Sequence, residues 1–166
     1  MSTAAGGATP DYVRDAGAAA IGARLRRLSE RLDGEARRLY AEAGVSFEQR
    51  WLGILDLLSE RGPMSVGDLS VALGISHPSV SQSRQSLAKA GLIQWQADAE
   101  DGRRRLLSLS RAGEDLVARL RPLWAALDEA AVELEAEAGE VLPALERLEQ
   151  ALAQRSLSDR VRSRLE

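Results

Sequence analysis

No cysteine occurs in the 166 residues. Disulfides, thiolate metal sites and thiol redox sensing are therefore excluded. The only histidine, His77, cannot assemble an imidazole zinc site by itself. Aromatic side chains make up 4% of the chain, so any core has to be built from Leu, Ala, Val and Ile. No apolar run approaches the roughly 20 residues that a membrane-spanning helix needs. Met1 to Gly7 has neither a basic start nor an apolar stretch, so no signal peptide, no membrane partner and a cytoplasmic residence are expected. Neither a glycine-rich phosphate loop nor paired carboxylates at a plausible cleft can be found. These absences predict a protein that is not an enzyme and that carries no metal or cofactor. Lysine is nearly missing too: Lys89 is the only one among 22 basic residues, which we attribute to coding bias rather than function.

What is present is a chain that can fold. Hydrophobic residues reach 45%, too many for a disordered segment and enough for one domain with a real core. The net charge of −3 argues against nucleic acid until its distribution is considered. Between Met64 and Ala112 six basic residues (Arg84, Lys89, Arg103, Arg104, Arg105, Arg111) face four acidic ones (Asp68, Asp98, Glu100, Asp101). From Gly113 onward acidic residues dominate, so the negative charge sits away from the central stretch.

That central stretch, Leu69 to Ser110, reads as helix, tight turn, helix, strand, arginine-rich loop, strand. Leu73-Gly-Ile-Ser-His-Pro-Ser-Val-Ser-Gln82 makes the turn and opens the second helix. Ser76 is placed as its N-cap, and Pro78 in the first turn, where a missing N–H costs nothing. Val80, Leu87 and Ala90 are expected inward, as is Ser83. Ser79, Ser81, Gln82, Gln85, Ser86 and Lys89 then face outward. Leu92–Gln96 and Leu106–Ser110 are the expected strands, and Asp98 to Arg105 the loop between them. This order is that of a winged helix-turn-helix. Such a helix fits a DNA major groove, where glutamines can pair with adenine edges, and a basic loop beside it can reach the backbone or minor groove. Read as a plain solvated surface, the same face would also be polar.

The flanks read as long helices. Met1 to about Ala16 is small and polar and is expected to be a mobile tail. Ile21, Leu25, Leu28, Leu32, Leu39 and Ala43 then recur at helical spacing up to Gly44. Ser46-Phe-Glu-Gln49 has the form of a capping box opening a helix with Trp51, Ile54, Leu55 and Leu58. Gly62-Pro63 ends it, and Ser65-Val-Gly-Asp68 opens the next. Ser110 is placed as the cap of a long helix that contains Pro122 and breaks at Gly139. A last helix starts near Pro143, with a weak break at Ser156-Leu-Ser158.

The fold class expected is mainly α with a small β-hairpin wing (α+β): a winged helix-turn-helix plus N- and C-terminal dimerisation helices. Residues 1–17 form the tail and 18–166 one domain. Within it, 46–111 is the DNA-binding lobe, and 18–45 with 112–166 is a helical lobe whose leucine stripes suit a second copy of the chain.

This arrangement resembles the MarR family of transcriptional regulators. The residues that carry the resemblance are Val66-Gly-Asp-Leu-Ser70, Leu73-Gly-Ile-Ser76, His77-Pro-Ser-Val-Ser-Gln82, Ala90-Gly-Leu-Ile93, and Asp101-Gly-Arg103 followed by Leu106-Leu-Ser-Leu-Ser110 and Gly113. The resemblance implies a homodimeric regulator, more often a repressor, that binds a palindromic site in double-stranded DNA and can be released by a small-molecule effector. It implies DNA contacts at Ser76, His77, Ser79, Ser81, Gln82, Gln85, Lys89, Arg103 and Arg104, with Asp101 bracing the wing. Tyr40, Arg50 and Trp51 fall where an effector crevice could form. The sequence departs from the family at Gly102, Ser83, Arg84 and Ser110. The competing reading is a winged-helix module that binds protein without binding DNA.

Overall fold

The computed structural model describes residues 11–97 and 105–165. The chain divides into two compact units, Met1–Glu114 and Asp115–Glu166. It is mainly helical with one two-stranded antiparallel sheet, as the patterning predicts.

In the first unit a short helix, α1 (Tyr12–Asp15), and a 3-10 turn at Gly17–Ala20 precede α2 (Ile21–Glu42). Residues 11–17, expected in a mobile tail, are thus folded; residues 1–10 lie outside the described residues. The tie is electrostatic. Asp11 caps α1 by accepting from the Arg14 N–H, and Arg27 Nη1 donates to both its carboxylate oxygens at 2.8 and 2.9 Å. Along α2 the leucine stripe forms as spaced, yet Ile21, Leu25, Leu28, Leu32 and Leu39 remain exposed, while Ala36 and Tyr40 are buried.

The second helical hairpin is α3 (Leu52–Arg61) and α4 (Val66–Leu73). Ser65 and Asp68 form the expected capping box. Ser46 does not. Glu48 is extended, and a 3-10 turn at Gln49–Trp51 leads into α3 without a side-chain cap. The cause is Phe47, which is buried with its ring 4.3 Å from Tyr40 and 5.7 Å from Trp51. Burying that ring holds the backbone extended past the point where a cap would start the helix.

α5 (His77–Lys89) leads into β1 (Ile93–Ala97), which pairs with β2 (Arg105–Leu109) in the register Ile93↔Leu109 to Ala97↔Arg105. A third short piece joins the sheet. Met64 and Leu107 exchange backbone hydrogen bonds at 3.0 and 2.8 Å. The core of this unit is Ile54, Leu55, Leu69, Val80, Leu87 and Leu107, each at most 1% exposed.

The root of the hairpin is closed by Ser110. Its Oγ donates to the Gly91 carbonyl at 2.6 Å and accepts from the Gly113 N–H at 3.1 Å, while its own N–H donates to the Leu92 carbonyl. It therefore caps α6 (Arg111–Ala138) as expected and fastens it to the end of α5. Gly113 is needed for the approach: a Cβ there would meet the Leu92 carbonyl oxygen at 2.1 Å.

In the second unit α6 continues across Pro122 as one helix and stops at Gly139. α7 (Val141–Gln154) begins at a left-handed Glu140, and Glu135 accepts from the Leu142 N–H across the turn. α8 (Leu157–Leu165) is capped by Ser156, and Arg160 donates to the carbonyls of Ala151 and Arg155 that end α7. Val132, Leu134, Leu142, Leu152, Leu157, Val161 and Leu165 are exposed.

Two predictions follow from these contacts. Gly113→Ala should lower unfolding free energy by about 1–3 kcal/mol, the usual cost of overpacking against atoms that cannot retreat; a urea melt matching wild type would refute the close approach. Asp11 is held below the usual carboxylate range, chiefly by its hydrogen bond to Arg27. The folded state therefore holds that proton less tightly than the unfolded chain does. The contact stabilises above the unfolded aspartate value of about 3.9 and is lost as pH falls through the lower folded one. An NMR titration should show Asp11 titrating below free aspartate.

Candidate nucleic-acid interface

The turn between α4 and α5 is set by local chemistry. Gly74 adopts a left-handed conformation (φ 63°) that ends α4. Ser70 Oγ donates to the Ile75 carbonyl at 2.6 Å, which fixes the chain as it leaves. Ser76 is extended, and its Oγ accepts from the Ser79 N–H, so α5 starts where the sequence predicts. Pro78 occupies the first turn without loss of a hydrogen bond.

Rotation of α5 is fixed by what it buries. Val80 and Leu87 are fully enclosed, and Ser83 is 3% exposed. The opposite side carries Ser76, His77, Ser79, Gln82, Gln85 and Lys89, all exposed, with Ser81 half-buried. Seven of the expected contact residues are thus gathered on one helix and its cap. Ser76 Oγ and Ser79 Oγ lie 2.8 Å apart at the helix start. That end of α5 combines hydroxyls, an imidazole and a positive dipole, a setting that favours a phosphate oxygen.

One residue of the helix and its C-cap behave differently from the sequence reading. Ser86, expected outward, is half-buried. Its Oγ accepts from the Trp51 indole N–H at 2.6 Å and donates to the Ser83 carbonyl at 3.0 Å. It lies on the margin of the buried sector, where helical spacing assigns a side chain to neither face. Ala90, expected inward, is exposed, because α5 ends at Lys89 and the chain turns away. Arg84, one of the departures from the family pattern, has its Cζ 5.3 Å over the ring of Trp95 on β1.

The wing strands are in place, one residue later than expected for β1 and one earlier for β2. Asp101, Arg103 and Arg104 lie outside the described residues. Arg105, at the start of β2, is exposed. Of the three residues expected to line an effector crevice, Tyr40 and Trp51 are buried, at 1% and 6%, in the aromatic column with Phe47. Arg50 is exposed and paired with Glu48. An open depression of about 410 Å³ lies beside this column, lined by Arg37, Ala41, Gly44, Val45, Ser46 and Phe47. Among the described residues no three His, Asp or Glu side chains converge on a possible metal site, and no helix is long and apolar enough to cross a membrane.

A capped polar helix in a helix-turn-helix, followed by a hairpin and then a long helix, defines a winged helix-turn-helix DNA-binding protein. Residues 43–104 match the family model described as MarR family. A probable transcriptional regulator from Pseudomonas aeruginosa is 32% identical, over 81% of this chain and 95% of its own, with a TM-score of 0.54. The structure of a MepR–DNA complex from S. aureus is 21% identical over 77% of this chain and 94% of its own, with a TM-score of 0.62. BpsR of Bordetella bronchiseptica, whose DNA binding is regulated by 6-hydroxynicotinic acid, is 23% identical over 84% of this chain and 93% of its own, with a TM-score of 0.57. No curated protein matches the chain. The chain belongs to the MarR family of winged-helix transcriptional regulators, and it is a DNA-binding regulator rather than an enzyme.

The Trp51–Ser86 bond yields a test. Ser86→Ala strands a part-buried indole N–H and should cost about 1–3 kcal/mol of stability. The loss should shrink in a Trp51→Phe background, which lacks the donor; equal losses in both backgrounds would show that the bond contributes nothing.

Proposed function

We propose that the protein acts in the cytoplasm as a homodimeric repressor that binds a palindromic operator and is released by a small-molecule effector. The observation that carries this reading is the polar outer face of α5, Ser76, His77, Ser79, Ser81, Gln82, Gln85 and Lys89, presented above a buried seam that fixes its rotation. Gln82 and Gln85 lie at its centre and suit adenine edges in the major groove. Ser76, His77 and Ser79 suit a phosphate at the helix start. The family resemblance assigns further contacts to Arg103 and Arg104, and the role of wing brace to Asp101.

Dimerisation is supported by apolar residues with no place in a solvated monomer. Ile21, Leu25, Leu28, Leu32 and Leu39 are exposed along α2, and Leu142, Leu152, Leu157, Val161 and Leu165 along α7 and α8. We assign the stretches 18–45 and 112–166, which carry these residues, to dimerisation. A two-fold pair sets two α5 helices about one duplex turn apart, and this spacing makes a palindrome the natural site. Repression follows from such a dimer covering a promoter. The effector reading draws on the BpsR likeness and on the depression beside Phe47, whose one charged wall residue, Arg37, suits an anionic aromatic molecule. Tyr40 and Trp51 pack against the Phe47 that lines it, and Arg50 precedes Trp51 in the chain. A ligand that favours one spacing of the two reading helices would shift the dimer away from the spacing that fits DNA.

Gel shift with the DNA upstream of the chain's own gene, at two salt concentrations, tests the reading. Gln82→Ala should cost about 1–3 kcal/mol of affinity, with relaxed preference at one base pair. Arg103→Ala should weaken binding to all duplexes alike. Sedimentation should give a dimer that Leu28→Glu with Leu32→Glu converts to monomer. Undiminished binding by both DNA-face variants, or a wild-type monomer, would overturn it.

A further inference from the structure

Arg84 is absent from the contact set above, yet its position sets it apart from the other cations of the reading unit. It follows Ser81 by three residues and His77 by seven, so these three share one flank of α5. That flank faces the wing, since the guanidinium carbon of Arg84 sits 5.3 Å over the Trp95 ring of β1. Arg84 is half-buried, and Trp95 is 43% exposed. Its strand neighbours Gln94, Gln96 and Ala97 are exposed as well. The pair therefore bridges α5 and β1 at the protein surface.

The nature of the brace matters. A carboxylate would hold the arginine and cancel its charge. An indole holds it and cancels nothing, because the ring attracts the cation through its quadrupole. It also offers no lone-pair acceptor, so the guanidinium's five N–H donors are not consumed by a conventional hydrogen bond. Among the described residues no carboxylate pairs with Arg84. By contrast Arg27, Arg31, Arg50, Arg111 and Arg162 each have an acidic partner. The result is a pre-ordered, uncompensated cation between a DNA-reading helix and a wing. Holding a long side chain in place beforehand removes part of the entropy cost of using it.

We propose that Arg84, braced by Trp95, binds a backbone phosphate of duplex DNA at the groove edge between α5 and the wing. The proposal rests on the DNA-binding reading and adds to it a contact site formed by two residues of this chain. Arg84 supplies the charge and donors. Trp95 positions it and touches no DNA in this role.

The test is the salt dependence of binding, read by fluorescence anisotropy with a labelled duplex from upstream of the chain's own gene. Each phosphate contact contributes about 0.9 to the log–log slope. Arg84→Met and Arg84→Gln should each reduce the slope by about that amount and weaken binding several-fold, with melting temperature unchanged. Arg84→Lys should retain most of the slope. Trp95→Leu should keep the slope but weaken binding, since the cation stays while its placement is lost. A slope unchanged in both Arg84→Met and Arg84→Gln would overturn the proposal, even if affinity fell, because a purely structural role moves affinity alone. Wild-type protein without salt-dependent binding would overturn the DNA reading itself, an outcome distinct from wild-type binding with unaltered Arg84 variants.

Discussion

The reading surface depends on one seam, the burial of Val80, Ser83 and Leu87 beneath α5. A helix is a cylinder, and its outer face is defined only by what its inner face is attached to. Removing two branched side chains from water is worth roughly 1.5–3 kcal/mol each, and a rotation of one residue position, about 100°, would forfeit that gain. The hydrophobic seam thereby aims Gln82 and Gln85 outward without touching DNA. Ser83 joins the seam as a polar residue, and its carbonyl is engaged by Ser86, which in turn holds the Trp51 indole. The orientation of the helix is consequently tied to the aromatic column of Tyr40, Phe47 and Trp51.

Much of this architecture was legible in the sequence, and the reasons differ by element. Ser65 with Asp68, Ser76 with Ser79, and Ser110 with Gly113 are local signals in which partners lie three residues apart, so the caps could be placed directly. The inward position of Val80, Ser83 and Leu87 followed from helical spacing. Ser46 misled because Phe47 is pulled into the core by rings seven residues upstream and four downstream, and tertiary burial outweighed a cap. Ser86 misled because it lies at the border of the buried sector. Arg84 on Trp95, Met64 against Leu107 and Arg27 on Asp11 span 11, 43 and 16 positions, and no periodicity encodes such pairings.

The site shows the same division. The outward-facing residues of α5 could be listed from its pattern because a helix displays its faces regularly. The crevice residues could not, since Tyr40 and Trp51 are apolar partners of Phe47 before they are anything else. Arg84 was visible as a departure from the family pattern, but its meaning required the strand that lies beneath it. Family membership settles the class of protein; the residues peculiar to this chain sit where the class leaves freedom.

The Met64–Leu107 bridge has a mechanical consequence. It sews the segment preceding α4 to the middle of β2, so the hairpin cannot swing independently of the helical pair it flanks. The reading head behaves as one casting rather than as a clamp with a loose finger. With the DNA contacts proposed above, a force that misaligns it would withdraw α5 and the hairpin strands from the duplex at once. Free energies lost together add, so occupancies fall as a product, and a small displacement suffices for a sharp release.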